Sequence, residues 1–484
     1  MKPWRLALSL MLACSLIATQ TPAAAAEIVV RSARQIEAAM ADAKPGDVLI
    51  MADGTWTDQA IVFAGHGTPD APITLRTKTT GKVILTGASS LSISGTWLVV
   101  DGLHFKDGTP GESNHVIRFN GPLGPAHHCR LTQTAITHYN PESIDTRYFW
   151  VSIYGTNNRV DHCRFEGQNH SGVTLVTWLD GSRTDHRIDA NHFLNRPEGN
   201  GNGFETIRLG TSAWGNTNAH VLIENNLFQE TDGEMEIISN KSNDNTFRHN
   251  TFDRCAGTLT LRHGHRATVD GNYFLGRGKD RTGGVRVIGE DHAVTNNYFS
   301  GLDDRAGGVV SITAAIENTP ANGYQEVRNA LVAHNTFIDN NGPIIICDWG
   351  YGQRDRLLRP RDVKIVGNLV TSDHHNLVVG TQGESWVWQD NLAHITSSKG
   401  NPFQAGFEPA NLRLVQDYAG VQRPSVASPA IDAASHDIET ITHDIDGQQR
   451  TSVADIGADE LHEGQATRQP LTPRDVGPEW MRSR

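Results

Sequence analysis

Short runs of alternating apolar and polar residues recur along most of this chain. Residues 258–262 and 285–287 are clear examples, and alternation of this kind is the pattern of a half-buried β-strand. Gly, Asn and Asp separate the runs and mark tight turns. Because strands this short cannot bury an apolar face alone, they must stack on copies of themselves. The pattern therefore predicts an all-β repeat protein.

A motif of the form Asn-x-Phe recurs with a constant phase. Consecutive copies in the middle of the chain are 22 to 25 residues apart, which is about one coil of a solenoid. The asparagine suits a tight corner, where it can adopt the left-handed conformation and stack in a ladder, and the phenylalanine fills the core. Leucine-rich repeats have a similar period, but their signature is missing. A right-handed parallel β-helix is predicted. The motif ends at Phe193, Phe228, Phe252, Phe274, Phe299 and Phe337.

The first part of the chain predicts how this β-helix is closed. Residues 32–44 show an amphipathic helical pattern, with a capping box at Ser32 and Gln35 and apolar residues at Ile36 and Met40. A helix here would cover the open edge of the first coil and prevent end-to-end aggregation. We therefore expect an N-terminal α-helical cap.

The repeat also suggests the domain organisation. Longer intervals between some motifs indicate loops that project over one face and wall a groove. The repeat fades after Ala393. We expect a single β-helix domain over residues 27–400, followed by a C-terminal capping segment and a flexible tail over residues 401–484.

Residues 1–26 have the pattern of a secretory signal peptide. Lys2 and Arg5 precede an apolar run, and small residues lead up to a predicted cleavage site near Ala26. The mature protein is therefore expected to be secreted or periplasmic. No later apolar run approaches the ~20 residues that a membrane span requires.

Charge and cysteine content exclude several classes of protein. The formal net charge is −12, which makes a nucleic acid an unfavourable partner. An acidic polysaccharide would be repelled too, unless basic residues are concentrated in one cleft. The cysteines after the leader have no zinc-site spacing; a disulfide remains open, but small buried side chains are the favoured interpretation. These cysteines are Cys129, Cys163, Cys255 and Cys347.

Strand alternation predicts which charged residues face outward. In residues 234–237 the apolar Met235 and Ile237 should face the core, so Glu234 and Glu236 should lie together on the outer face. By the same reasoning three arginines are expected on that face. They are Arg208, Arg262 and Arg286.

Lys241, Arg262 and Arg286 are spaced by about one coil, so we expect a column of cations beside the two glutamates. Such stacking of like charges is costly unless an anion binds, and a polyuronate supplies one. Abstraction of the proton next to a uronate carboxylate requires a cation on that carboxylate and a base. Glu234 and Glu236 suit Ca²⁺, which prefers oxygen ligands, and Lys241 suits the base.

Three segments carry a resemblance to a known family. Residues 234–242, 257–264 and 202–212 resemble polysaccharide lyase family six, which includes alginate lyases and chondroitinase B. The resemblance extends over most of residues 27–400 and implies a parallel β-helix. It also implies a calcium ion bound by Asn202, Glu234 and Glu236, with Lys241 as Brønsted base and Arg262 as acid.

The same resemblance implies the substrate contacts. Arg286 matches a substrate-binding arginine, and Arg208 and His263 are grouped with it as candidates. For His263, a structural hydrogen bond behind Arg262 is the preferred interpretation.

Alginate is the expected substrate, because most members of the similar family act on it. Chondroitin or dermatan sulfate is the alternative within the same chemistry. A C5-epimerase uses a similar proton abstraction, but no Asp-Pro-His pattern is present. A non-catalytic glycan-binding β-helix is the remaining alternative. Endo or exo action and the oligomeric state stay open.

Overall fold

A computed structural model describes residues 25–303, 305, 307–374, 376–396, 406–435, 438, 440–462 and 466–482. Residues 1–24, which make up nearly all of the predicted signal peptide, lie outside this part of the chain. Among the described residues, no helix combines the length and the apolar character needed to cross a bilayer.

The chain winds into a right-handed parallel β-helix whose wall consists of three parallel sheets, as predicted. Sheet 1 contains Glu27–Val30, Val48–Met51, Ile73–Thr77, Leu98–Asp101, Arg130–Thr132, Arg159–Asp161, Arg187–Asp189, Leu222–Glu224, Thr246–Arg248, Thr268–Asp270, Ala293–Thr295, Leu331–Ala333, Lys364–Val366 and Val387–Gln389. Sheet 2 contains Ala60–His66, Ser90–Thr96, His115–Arg118, Asn120–Gly121, Gly124–His127, Phe149–Ile153, Leu175–Thr177, Ile207–Leu209, Glu236–Lys241, Gly257–His263, Thr282–Val287, Val310–Thr313, Ile345–Trp349 and Val378–Val379. Sheet 3 contains Gly54–Thr57, Val83–Gly87, His104–Gly108, Ala135–Thr137, Arg164–Glu166, His192–Arg196, Leu227–Thr231, Thr251–Asp253, Tyr273–Leu275, Tyr298–Ser300, Thr336–Ile338, Leu369–Ser372, Leu392–Ile395 and Glu408–Pro409. An antiparallel hairpin of Leu414–Gln416 and Gln422–Pro424 follows, and 3₁₀ turns occur at Ser212–Trp214 and Glu479–Met481.

The predicted cap is the α-helix Ala33–Met40, which packs Ile36 and Met40 into the core. The Ser32 side chain accepts the Gln35 N–H, as a capping box requires. The Gln35 side chain, however, accepts the N–H of Arg31 rather than that of Ser32. The helix ends before the predicted limit at residue 44.

A ladder of stacked phenylalanines forms the centre of the core. Neighbouring rings have centroids 4.6 to 5.1 Å apart, close to the spacing of stacked strands. The Asn-x-Phe motif therefore does place one aromatic ring per coil in the core. The ladder consists of Phe165, Phe193, Phe228, Phe252, Phe274, Phe299 and Phe337.

An asparagine ladder runs through the corner between sheets 1 and 3. Each carboxamide oxygen accepts a backbone N–H and a side-chain N–H from the asparagine of the preceding coil, as Asn250 does from Asn226. The left-handed conformation belongs to the residue before, such as Asn225 or His249, and not to the ladder asparagine. The prediction of a ladder is confirmed, but the predicted left-handed position is one residue too late. The ladder consists of Asn191, Asn226, Asn250, Asn272, Asn297, Asn335, Asn368 and Asn391.

Replacing Asn250 with alanine should lower the free energy of unfolding by about 2–4 kcal/mol, because it strips hydrogen-bond partners from buried groups of Asn226 and from the Ile223 carbonyl. Chemical denaturation measures the loss. Asn341→Ala, at an exposed asparagine, is the control. Equal stability of the two variants would contradict the ladder's role.

All four cysteines after the leader are buried free thiols. They pack as small core side chains, which is the interpretation that the sequence favours. Burial raises the pKa of the Cys255 thiol to about 12, which makes it unreactive at neutral pH.

The C-terminal segment does not end in the expected flexible tail. It packs back along sheet 3, where the N–H of Leu471 donates to the Thr251 hydroxyl and the indole N–H of Trp480 donates to the Gln133 carbonyl. Sequence periodicity could not predict this packing, because the segment has no repeat and its partners are far away along the chain.

Candidate active site

The outward face of sheet 2 carries an aligned row of side chains across four neighbouring strands. Arg208, Ser239, Thr260 and Arg286 are in register. Three strand spacings separate the two arginines, or about 14 Å. The short side chains of Ser239 and Thr260 are fully buried between the two arginines, which are 7 % and 5 % exposed. The face therefore offers a shelf with a guanidinium at each end.

The strand Glu236–Lys241 does not follow the predicted alternation. Met235 is 47 % exposed and lies outside the strand, so its predicted core position is wrong. Ile238 and Asn240 are the residues aligned with the core leucines of the next strand. A register shift between Glu236 and Ile238 turns Glu236 outward. The two glutamates face the site because of this irregularity.

Lys241 and Arg262 lie at the carboxyl ends of adjacent strands of sheet 2. Lys241 is paired with His263, and Arg262 sits at a second register shift. The Lys241 Nζ is 3.8 Å from Glu205 Oε1, and the Arg262 Nε is 4.0 Å from Glu236 Oε1. Both cations thus reach back toward the glutamates.

The expected single column of Lys241, Arg262 and Arg286 is wrong in detail. Arg286 is aligned with Thr260, two residues before Arg262 in the neighbouring strand. Coil-length spacing therefore identified the correct face but not the correct rows, because each register shift moves a side chain by one position.

His263 lies behind Arg262 and is 1 % exposed. Burial, with Arg262 and Lys241 nearby, lowers the pKa of His263 to about 3. The neutral ring can accept an N–H from Arg262 at Nδ1, 3.3 Å away, and donate to the Ser212 hydroxyl at Nε2, 3.0 Å away. This placement favours the structural hydrogen bond over direct substrate contact.

Three glutamates converge beside the two cations. Burial, together with Glu205 and Glu236, raises the pKa of Glu234 to about 8. Glu205 is 2 % exposed, and its Oε2 atom has no hydrogen-bond partner among the described residues. The three glutamates supply the oxygen donors that calcium prefers, one of them buried without a partner, although their ligand atoms are not grouped as tightly as those of Asp444, Asp446 and Asp459, which lie within 4.8 Å of one another.

The sequence interpretation missed Glu205. Alternation from Ile207 and Leu209 would place it inside the core, where an unpaired carboxylate is disfavoured. Asn202, the third predicted ligand, has an exposed position next to Gly203, whose N–H donates to Glu234. A cavity of about 400 Å³ reaches Glu234 from this loop.

Aromatic rings pack against the arginines of the shelf, and the sequence interpretation placed none of them. Arg208 lies over Trp178, with 5.3 Å between the guanidinium carbon and the ring centroid. Arg262 lies 4.5 Å over Tyr324, and Arg286 lies 5.1 Å over Trp349. Trp178 follows the strand next to that of Arg208, whereas Tyr324 lies outside the strands and Trp349 ends a strand two coils after Arg286.

Arg286 is the most strongly held of these cations. Its Nη2 donates to Glu236 Oε1 at 2.8 Å, and its Nη1 contacts the Met235 sulfur at 3.1 Å. The site therefore combines cations that can bind carboxylates with a cluster of carboxylates that can bind a cation. Lys241 and Arg262 lie beside the carboxylates, within 4.0 Å of Glu205 and Glu236 respectively.

Comparison with known proteins identifies the family of this chain. The family model described as Chondroitinase B matches residues 30–412. No curated protein sequence matches the chain. Among solved structures, the PL6 family alginate lyase AlyGC is 34% identical, with a TM-score of 0.78, and the match covers 93% of this chain and 60% of that chain. This chain thus spans about 60% of the length of that relative.

Two further solved structures are similar. A mannuronic acid specific family 6 lyase from human gut microbiota is 29% identical over 79% of this chain and 90% of its own, with a TM-score of 0.69. The PL6 polysaccharide lyase Pedsa3628 from Pseudopedobacter saltans is 26% identical over 94% of this chain and 99% of its own, with a TM-score of 0.72. Since the family model matches well over half of its residues, the chain belongs to the Chondroitinase B family, polysaccharide lyase family six.

Proposed function

We propose that this protein is a polysaccharide lyase that cleaves alginate by calcium-assisted β-elimination. The observation that carries the proposal is the position of Lys241 and Arg262, on adjacent strands and within 4.0 Å of the glutamate cluster. This geometry supports a base and an acid acting beside a site for a cation. The proposal includes export of the protein, as the predicted signal peptide indicates.

Lys241, in its neutral form, takes the C5 proton of the uronate. The electron pair of the C5–H bond forms a C4–C5 double bond, and the bond between C4 and the glycosidic oxygen breaks. Arg262 donates a proton to the departing oxygen, directly or through water. Cleavage gives two fragments. One has a new reducing end, and the other has a 4,5-unsaturated uronate at its non-reducing end.

Glu205, Glu234 and Glu236 would hold the calcium ion, with Asn202 as a further candidate ligand. When bound, the ion neutralises the uronate carboxylate and so lowers the cost of removing the neighbouring proton. His263 keeps the Arg262 guanidinium in place through the contact at its Nδ1 atom.

Arg208 and Arg286 suit the carboxylates of two sugars that are not adjacent in the polymer. They lie about 14 Å apart along the shelf, and uronate residues along a polymer carry one carboxylate each. The aromatic rings under both arginines limit their motion. A polymer with regularly repeated carboxylates fits this spacing, which favours a polyuronate. The relatives described as alginate lyases support alginate within that class.

The test is an assay of the purified protein on polymannuronate, polyguluronate and dermatan sulfate. Alginate lyase activity predicts unsaturated uronate products from one or both alginate blocks, measured by ultraviolet absorbance and mass spectrometry. Unsaturated products from dermatan sulfate alone would show that the substrate is the sulfated polymer and not alginate. Saturated products or unchanged polymers would contradict elimination.

A further inference from the structure

Five side chains beside the shelf form a continuous stack of alternating guanidinium groups and aromatic rings. Arg262 lies over Tyr324, and Arg286 lies over Trp349. Arg356 lies over both rings, with its guanidinium carbon 4.7 Å from the Tyr324 centroid and 5.0 Å from the Trp349 centroid. Arg356 therefore joins the acid of the proposed reaction to a substrate-binding arginine through two shared rings.

Arg356 is not an ordinary surface arginine. It is only 3 % exposed, and its Nη1 atom is buried without a hydrogen-bond partner. The nearby Arg359 pairs with Asp348, whereas Arg356 forms no ion pair with any carboxylate among the described residues. A buried cation without a counterion costs stability, so its retention points to a role beyond folding.

The loop after the strand Ile345–Trp349 is shaped to hold this guanidinium. The Arg356 Nε and Nη2 atoms donate to the backbone carbonyl and the side-chain oxygen of Gln353, each at 3.2 Å. Gly350 passes so close that a Cβ atom there would lie 2.1 Å from the guanidinium carbon. Glycine at this position therefore makes room for the Arg356 head group.

We infer that Arg356 is a positioning residue, which keeps Tyr324 and Trp349 apart at the separation that orients Arg262 and Arg286. This inference rests on the proposed function. Its effect falls mainly on Arg262, because Tyr324 and the Gly323 carbonyl, which both contact Arg262, lie outside the strands, whereas Trp349 belongs to a strand and Arg286 also pairs with Glu236 at 2.8 Å. Loss of Arg356 therefore lowers the rate of the chemical step more than substrate affinity.

The experiment compares Arg356→Ala with wild type in steady-state cleavage of alginate. The kcat is expected to fall about 10- to 100-fold, the cost of a displacement of about 1 Å in a catalytic group. The KM is expected to change less than about threefold. Millimolar guanidinium chloride, which can fill the vacated space between the rings, should restore several-fold activity to this variant, while equal concentrations of urea or sodium chloride should not.

A second pair of variants tests the geometry without removing the charge. Gly350→Ala displaces the guanidinium and should reproduce the fall in kcat. Gly352→Ala is the matched control, because the two glycines have φ values of +77° and +78° but a Cβ at Gly352 meets nothing within 4 Å. Both variants carry the same backbone strain, so only the contact with Arg356 separates them. Arg354→Ala, at an exposed arginine of the same loop, controls for charge.

Several results would overturn the inference. One is a kcat for Arg356→Ala within twofold of wild type. Another is a lower kcat for Arg356→Ala that guanidinium does not restore, together with a lower thermal midpoint. That result would show that Arg356 contributes only to stability. Full activity of Arg356→Lys would show that charge suffices and stacking does not matter. If the wild-type protein has no lyase activity, the proposed function is wrong as well. This outcome differs from the results above, in which the wild-type protein is active.

Discussion

Replacing Lys241 with alanine is expected to lower kcat at least about 100-fold, the usual contribution of a positioned general base. Lys241 ends its strand with a side chain that is 16 % exposed and reaches to 3.8 Å from Glu205. Substrate affinity should change much less, because Arg208 and Arg286 remain. The measurement is the initial rate of unsaturated product formation over a range of alginate concentrations.

Two further variants separate the base from a simple positive charge. Lys241→Arg keeps the charge, but a guanidinium is already protonated in the resting enzyme and cannot accept the C5 proton, so this variant should be nearly as inactive as Lys241→Ala. Lys364→Ala, at an exposed lysine of sheet 1, is the control and should retain wild-type activity. Retained activity in Lys241→Arg would exclude Lys241 as the base.

Removal of divalent cations should lower kcat at least about tenfold, and added calcium should restore it. Burial, together with the charges of Glu205 and Glu236, raises the pKa of Glu234 to about 8. Binding of a cation to the folded protein relieves this repulsion and should also raise the thermal midpoint in the absence of substrate. Activity and thermal unfolding are measured with EDTA and after addition of calcium.

Glu205→Gln tests the ligand that the sequence interpretation missed. It should weaken the calcium-dependent rise of the thermal midpoint and the calcium-dependent activity together. Glu230→Gln removes a carboxylate that pairs with Arg254 on sheet 3 and serves as the control. If EDTA changes neither activity nor thermal midpoint, a calcium role at this cluster is wrong.

The sequence alone determined the fold and its internal period. One phenylalanine and one asparagine per coil are enough to predict a parallel β-helix. Only the stacking of identical short strands both buries the phenylalanine rings and provides hydrogen-bond partners for the asparagine side chains. The helix Ala33–Met40 was also predictable, since its cap and apolar stripe are local features.

The tertiary structure alone decided which side chains meet at the site. The register shifts around Ile237 and Arg262 reverse local alternation, so the exposed Met235 could not be assigned from parity, and parity buries Glu205 without showing that its carboxylate reaches Lys241. Tyr324 and the C-terminal segment come from parts of the chain without a repeat, and Trp349 follows a register shift at the end of its strand, so no periodic signal predicts their positions. A repeating sequence pattern predicts the residues that recur in every coil. The side chains of the active site are residues that break this pattern, and their positions depend on how the coils pack on one another.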